Sequence, residues 1–303
     1  MTNRLLPASA YTPCPDLWCI VPYFNPMHYQ TRRTNYELFA EPLRAAGIPL
    51  LTVECAFGDD PFELPAGPEV LQVRCPHVLW QKERLINLGV TRLPPDARKV
   101  AWLDGDILFT NPDWAVQTAA LLDDYPVVQP FAHAIRLERD ERSASAQAQA
   151  YENFASVWQR DRSRIYVGGL DVHGHTGFAW AARRDLLARH GLYEAFITSN
   201  GDHFLAHVFA GDLASGCMRS VRQGTRLADI GRRMRQSKLR ALLRKLTPSS
   251  LRRAIHNLPG IRQPNNPFWL HFLAWARPVA AEANGRIGCT TGTVLHLWHG
   301  DTA

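Results

Sequence analysis

The chain has no uninterrupted apolar run long enough to span a bilayer, so no transmembrane helix is expected. Residues 1–16 hold one Arg, three Pro and no apolar core segment, which argues against a secretory signal and for a cytoplasmic protein. Cysteine is unpatterned. Cys14, Cys19, Cys55, Cys75, Cys217 and Cys289 have no paired spacing, which points to reduced, mostly buried thiols. Also missing are a Gly-x-Gly-x-x-Gly turn, a P-loop lysine, a serine nucleophile elbow and the kinase motif set, so those four chemistries lose their sequence support. Neither an internal repeat nor a sharp boundary divides the 303 residues, and one domain over 1–303 is expected. Acidic residues are scarce in one place. Residues 222–262 carry twelve Lys or Arg against the single Asp229, a local +11 that leaves the remainder mildly acidic at −5 within a net charge of +6.

What is present is ordinary core material, 46% hydrophobic and 20% charged, in a strand–helix rhythm. Strands are expected at 17–23, 49–56, 70–73 and 100–103. Helices are expected after 26, with Tyr36, Phe39, Ala40 and Leu43 on one face, and over 80–88, closed by Gly89. Such alternation implies an α/β protein, a mostly parallel sheet with helices on both faces. Further helices are expected over 143–159, 184–190, 202–210 and 265–284, with a last strand over 293–298. The rest is organised around Trp102-Leu103-Asp104-Gly105-Asp106-Ile107-Leu108-Phe109, where a buried strand stops on two carboxylates. Asn111 then reads as an N-cap, with Pro112 at N1 of a helix through Leu122. Carboxylates at the carboxyl end of a parallel strand lie where open α/β sheets bind ligands, and they suit a hard cation with the phosphates it holds.

Four other blocks accompany that turn. Val21-Pro22-Tyr23-Phe24-Asn25-Pro26 ends the first strand, with Arg32 following. Trp80-Gln81-Lys82-Glu83-Arg84-Leu85-Ile86-Asn87 precedes the central strand. Gly174-His175-Thr176-Gly177-Phe178-Ala179-Trp180 leads to Asn200-Gly201-Asp202-His203. His296-Leu297-Trp298-His299-Gly300-Asp301 lies at the end. His28, His77, His133, His173, His190, His203, His207, His256 and His271 show no ligand spacing. His203 and His207 stand at i, i+4, but Phe204 occupies the place of a metallopeptidase glutamate, so no zinc site is expected there.

Taken in order, these blocks resemble GT-A-fold glycosyltransferases, the inverting β-1,4-galactosyltransferases in particular. The resemblance implies a GT-A (Rossmann-like) fold, with a nucleotide-binding half over about 17–130 and an acceptor-side half over about 131–303. It implies a cofactor, Mn²⁺ or Mg²⁺, held by Asp104, Asp106, His296 and His299. A nucleotide-sugar donor, a UDP-sugar by that resemblance, would lie against Pro22, Tyr23, Asn25, Arg32, Lys82, Asn87, Asp104, Gly105 and Trp180. Asp106 would meet the metal directly, Asp104 the ribose or a metal-bound water, and Trp180 would form an apolar wall. Asp202 falls on the general base of inverting members, which takes the proton of the acceptor hydroxyl. The acceptor is unspecified. The basic segment 222–262 reads as a helical insert with three open readings: docking on a nucleic acid that is itself glycosylated, docking on anionic lipid headgroups, or a solvated cover over the fold. Rival readings are a nucleotidyltransferase on a similar fold and a binding module without catalysis.

Overall fold

The computed structural model describes residues 10–167, 169–197, 199–218 and 267–300, so the basic segment 222–262 lies outside the described residues. In chain order the elements are β1 (Leu17–Phe24), α1 (Gln30–Ala45), β2 (Leu50–Phe57), β3 (Val70–Cys75), α2 (Lys82–Arg92), β4 (Lys99–Leu103) and β5 (Ile107–Phe109). They continue with α3 (Trp114–Asp124), β6 (Val127–Gln129), β7 (His133–Arg136), β8 (Ala150–Glu152), α4 (Phe154–Arg160) and α5 (Leu170–His173). The last are β9 (Ala179–Arg183), α6 (Arg184–His190), α7 (Gly201–Phe209), α8 (Pro267–Ala283), β10 (Ile287–Cys289) and β11 (Thr293–His296).

Seven strands form the main sheet, in the order β10-β6-β9-β4-β1-β2-β3. Every neighbouring pair is parallel except those of β9, which runs against both β4 and β6. Alternation divides the core in two. Ile20, Val100 and Trp102 face a cluster with Leu85, Ile86, Leu187 and Phe209 from α2, α6 and α7. Leu17, Cys19, Val21, Ala101 and Leu103 face the other, with Phe39, Leu43 and Trp114 from α1 and α3. A strand apolar at every position is what burial on both faces demands. The expected α/β class, a mixed and mostly parallel sheet between helical layers, is therefore what the chain adopts. A second, four-stranded sheet has the order β5-β11-β7-β8. Among the described residues no helix is long and apolar enough to cross a membrane. All six cysteines are free thiols.

Three local expectations need correction. Gly89 does not close α2 but lies inside it, where an added Cβ would meet Ile20 Cγ2 at 2.7 Å; the glycine lets the helix approach the sheet. The helix after β5 begins at Trp114, not at Pro112. Asn111 Oδ1 accepts the Asp113 N–H at 3.0 Å in a tight turn, and Trp114 stacks flat on Phe109 with centroids 4.0 Å apart. The helix expected over 143–159 forms only at 154–160, capped by Asn153, whose Oδ1 accepts the Ser156 N–H at 2.7 Å. Residues 150–152 pair with β7 instead. Their Ala-Tyr-Glu carries no apolar helical stripe, so the sheet edge wins.

At Gly89 two effects oppose. Alanine gains about 1 kcal/mol of helix propensity, whereas overpacking a filled core costs about 1–3 kcal/mol. Ile20 is fully buried, so Gly89→Ala should be net destabilising by about 1 kcal/mol in urea unfolding. A variant more stable than the parent would reject this packing account.

Candidate functional site

The carboxyl edge of the main sheet is where the sequence blocks meet. β4 ends at Leu103, and the Asp104 N–H donates to the Phe178 carbonyl at 2.8 Å. β5 carries the chain off into the small sheet, pairing antiparallel with β11 so that His296 lies opposite Ile107. The Leu297 N–H then donates to the Asp106 carbonyl at 2.8 Å. The histidine-bearing tail thus runs directly beside the acidic turn. The strand stops at His296, and Asn35 Nδ2 donates to the Trp298 carbonyl at 3.0 Å. This bend brings the His296 and His299 rings to centroids 5.0 Å apart, which two residues at i, i+3 of a straight strand could not do.

The two carboxylates of the turn face different partners. Asp104 Oδ1 lies 2.6 Å from Lys82 Nζ, and the same ammonium lies 2.7 Å from Asp202 Oδ2. Lys82 opens α2 and is 5% exposed. Burial works against its charge, but Asp104 and Asp202 outweigh burial and raise its pKa. Burial pushes Asp104 up to about 6; Lys82 pulls it down, and Asp202 and Asp106 add to the rise. Asp202 sits within the first turn of α7, where the helix dipole favours a carboxylate. Ser199 and Asn200 enter that helix with φ of 80° and 75°, a left-handed start that is strained for serine. At Gly201 a Cβ would lie 1.8 Å from Glu83 Oε1. Glycine at 201 lets α7 begin against α2 with the Glu83 side chain where it is, and α7 then presents Asp202 to Lys82.

Asp106 is 4% exposed and looks the other way. Its Oδ2 accepts from Arg32 Nη1 at 2.8 Å, and its Oδ1 lies 3.8 Å from His296 Nε2. Burial opposes the ionised form, but His296, Arg32 and His299 outweigh it and hold the pKa below the usual carboxylate range. Burial pushes His296 down to about 4, which leaves a neutral imidazole with a free lone pair at pH 7. Ligand atoms of Asp106, His296 and His299 all lie within 4.8 Å of one another. One carboxylate with two imidazoles fits the divalent ion that the resemblance implies. Asp104, expected to share that ion, is turned to Lys82 and stands outside the trio.

Other expected donor contacts fall differently. Arg32 and Lys82 are at the site, and Gly105 is buried within its turn. Pro22 is buried inside β1, in register with Val53. Tyr23 is 2% exposed and its hydroxyl donates to Glu63, while Asn25 Nδ2 donates to Glu63 at 2.8 Å and to the Tyr29 carbonyl. Both brace the end of β1. Asn87 does not face a donor. Its amide donates to the Leu192 carbonyl and to Glu194, and accepts the Leu192 N–H, so it holds the loop after α6. Trp180 is no apolar wall of a pocket. It is fully buried on β9, an interior strand of the main sheet, packed near Phe209 with its indole N–H on the Thr176 carbonyl.

Two residues escaped the sequence reading. Glu83, inside a quoted block but given no role there, is 6% exposed, and burial first and Asp202 second push its pKa up to about 7. His175, inside a quoted block but not singled out, stacks on Phe178 at 4.0 Å, and Phe178 in turn lies 4.7 Å from His296. Its neighbour at Gly177 was the one available signal, since a paired glycine turn lets a ring fold back on the chain.

No protein-family model matches this chain, and no curated protein does. Among solved structures it is similar to the catalytic domain of a Drosophila beta1,4-galactosyltransferase 7 in complex with xylobiose, at 15% identity over 62% of this chain, with a TM-score of 0.32. It spans only 58% of that domain's length. It is also similar to a 4-diphosphocytidyl-2C-methyl-D-erythritol synthase from Anaerococcus prevotii, at 12% identity over 67% of this chain and 84% of the other, with a TM-score of 0.37. Likenesses this loose say nothing of activity.

The raised Glu83 pKa makes stability depend on pH. The fold favours the protonated acid, so this contribution is fully present below about 4.5 and is lost as pH rises through about 7. Glu83→Gln should therefore raise stability at pH 8 by roughly 2 kcal/mol and change it little at pH 4.5, read by urea unfolding at both. Equal effects at the two pH values would contradict a buried, neutral Glu83.

Proposed function

We propose that this chain is a metal-dependent glycosyltransferase that moves a sugar from a nucleoside-diphosphate sugar, a UDP-sugar by the resemblance of its blocks, to an acceptor hydroxyl with inversion. The observation that carries this reading is the divided turn at the carboxyl edge of the sheet. One carboxylate, Asp106, meets two histidines from the tail, and the other, Asp104, meets a buried lysine shared with Asp202.

Asp106, His296 and His299 would hold Mn²⁺ or Mg²⁺. Without an ion, the carboxylates of Asp104, Asp106 and Asp202 outnumber the cations of Lys82 and Arg32 by one charge, and a diphosphate would be repelled. A divalent ion there would reverse that local sign and would supply positive charge to a departing diphosphate. Arg32 and Lys82 flank the acidic turn on its two sides and supply fixed positive charge for phosphate oxygens. Lys82 holds Asp202 Oδ2, and among the described residues nothing bonds to Oδ1. That oxygen is the one to accept the acceptor's proton. Asp104 would bind the ribose, as its quarter-exposed side chain allows.

A panel of nucleotide sugars, scored by thermal shift and by product with and without Mn²⁺, tests the reading. Asp106→Ala and His299→Ala should each lose metal-dependent donor binding. Asp202→Asn should keep donor binding and lose transfer by about 100-fold or more. Undiminished transfer by Asp202→Asn would end the base assignment. Release of pyrophosphate in place of a nucleoside diphosphate would replace the whole reading with that of a nucleotidyltransferase.

A further inference from the structure

A second group of ligand-type side chains lies between α4, α5 and α7. His173 closes α5, His203 and His207 stand one turn apart on α7, and Cys217 sits in the turn that follows. One ring nitrogen from each histidine and the Cys217 Sγ all lie within 4.8 Å of one another. His173 and His207 are 2% and 0% exposed.

Hydrogen bonds settle which atoms are available. His173 Nδ1 is 2.7 Å from the Gly174 carbonyl, so it carries the proton and Nε2 carries the lone pair. His207 Nδ1 is 2.8 Å from Asp212 Oδ2, which assigns its Nε2 in the same way. That Nε2 is buried and has no hydrogen-bond partner. Asp212 is itself pinned, its Oδ1 accepting the Ala214 and Ser215 N–H groups at 3.1 and 2.9 Å. A carboxylate orienting an imidazole whose other nitrogen points at a cluster of donors is the arrangement of a metal-bound histidine with its supporting partner. Four other buried ring nitrogens among the described residues also lack a hydrogen-bond partner, but the His207 nitrogen belongs to a residue grouped with two more imidazoles and a thiol.

We propose that His173, His203, His207 and Cys217 bind one zinc ion in a closed structural site. A tetrahedral ion with bonds of about 2.0 Å to nitrogen and about 2.3 Å to sulfur needs donors roughly 3.3–3.6 Å apart, which the 4.8 Å that encloses all four atoms accommodates. Three imidazoles and a thiolate favour zinc over Mg²⁺ or Ca²⁺, and four protein donors leave no open position for catalysis. Binding releases the Cys217 thiol proton to solvent and forms the thiolate–zinc bond. The objection raised by Phe204 in place of a metallopeptidase glutamate does not apply to a site that performs no hydrolysis. Its work is positional: the ion joins α5 and the turn at 212–217 to α7, whose first turn presents Asp202 to Lys82.

Elemental analysis of the full chain, purified without chelator and dialysed, should find one zinc per chain. Asp106→Ala should retain it, which separates this site from the Asp106 trio. Replacement by Co²⁺ should give the intense visible bands of four-coordinate cobalt and a near-ultraviolet sulfur-to-cobalt band. Cys217→Ser should lose the sulfur band, and His207→Ala should lose most of the metal. A wild-type chain with no stoichiometric zinc and no such cobalt spectrum would overturn the proposal, whether or not the variants fold. So would an unchanged sulfur band in Cys217→Ser.

Discussion

Lys82 places an ammonium 2.6 Å from Asp104 and 2.7 Å from Asp202, almost wholly out of water, and the arrangement of the sheet's carboxyl edge depends on that contact. A lone buried charge is strongly unfavourable, and removing one partner of a buried pair costs about 3–5 kcal/mol. Lys82 begins α2, Asp104 follows β4 and Asp202 lies in the first turn of α7, so one side chain ties three elements from distant parts of the chain. Beside the tie, Gly201 leaves room for the Glu83 side chain, and Ser199 and Asn200 adopt left-handed backbone at the entry to α7. Strain and close packing gathered at one point mark it as a place where position matters more than stability.

The small sheet has the complementary task. β11 pairs with β5, the strand that leaves the acidic turn, so the register of three residue pairs decides that His296 comes to rest beside Asp106. The Asp104-Gly105-Asp106 triplet therefore serves two neighbourhoods, an ammonium-bridged carboxylate pair on one side and a mixed carboxylate–imidazole set on the other. Arg32 and Lys82 confine negative charge to the gap between them. A turn with only one of these settings would hold either a cation or a basic side chain, and not both.

Much of the framework was legible in the chain because strands buried on both faces must be apolar throughout, as at 100–103, and because helices of a doubly covered sheet must show one apolar stripe. The turn at 104–106, its neighbour Lys82 and the terminal histidines were found by their residue types. Trp180 and Asn87 misled for one reason: an aromatic ring or an amide has the same chemistry in a core or a brace as in a pocket. Their partners, the Thr176 carbonyl for one and Leu192 with Glu194 for the other, lie at separations that no local pattern encodes. The same holds for His173, His203 and Cys217, set apart along the chain and joined only by the path of α5 against α7.

Taken alone, the sequence determined the layers, the succession of strands and helices from β1 to β4, and which stretch would carry the charges, since periodicity and burial are local properties of residue type. Only the tertiary structure decided which carboxylate faces which cation, that Glu83 is buried, and that two separate sets of histidines converge. Those outcomes follow from strand order and helix approach, where glycines at 89 and 201 set distances of a few ångströms, and charge–charge interaction falls off over that same range.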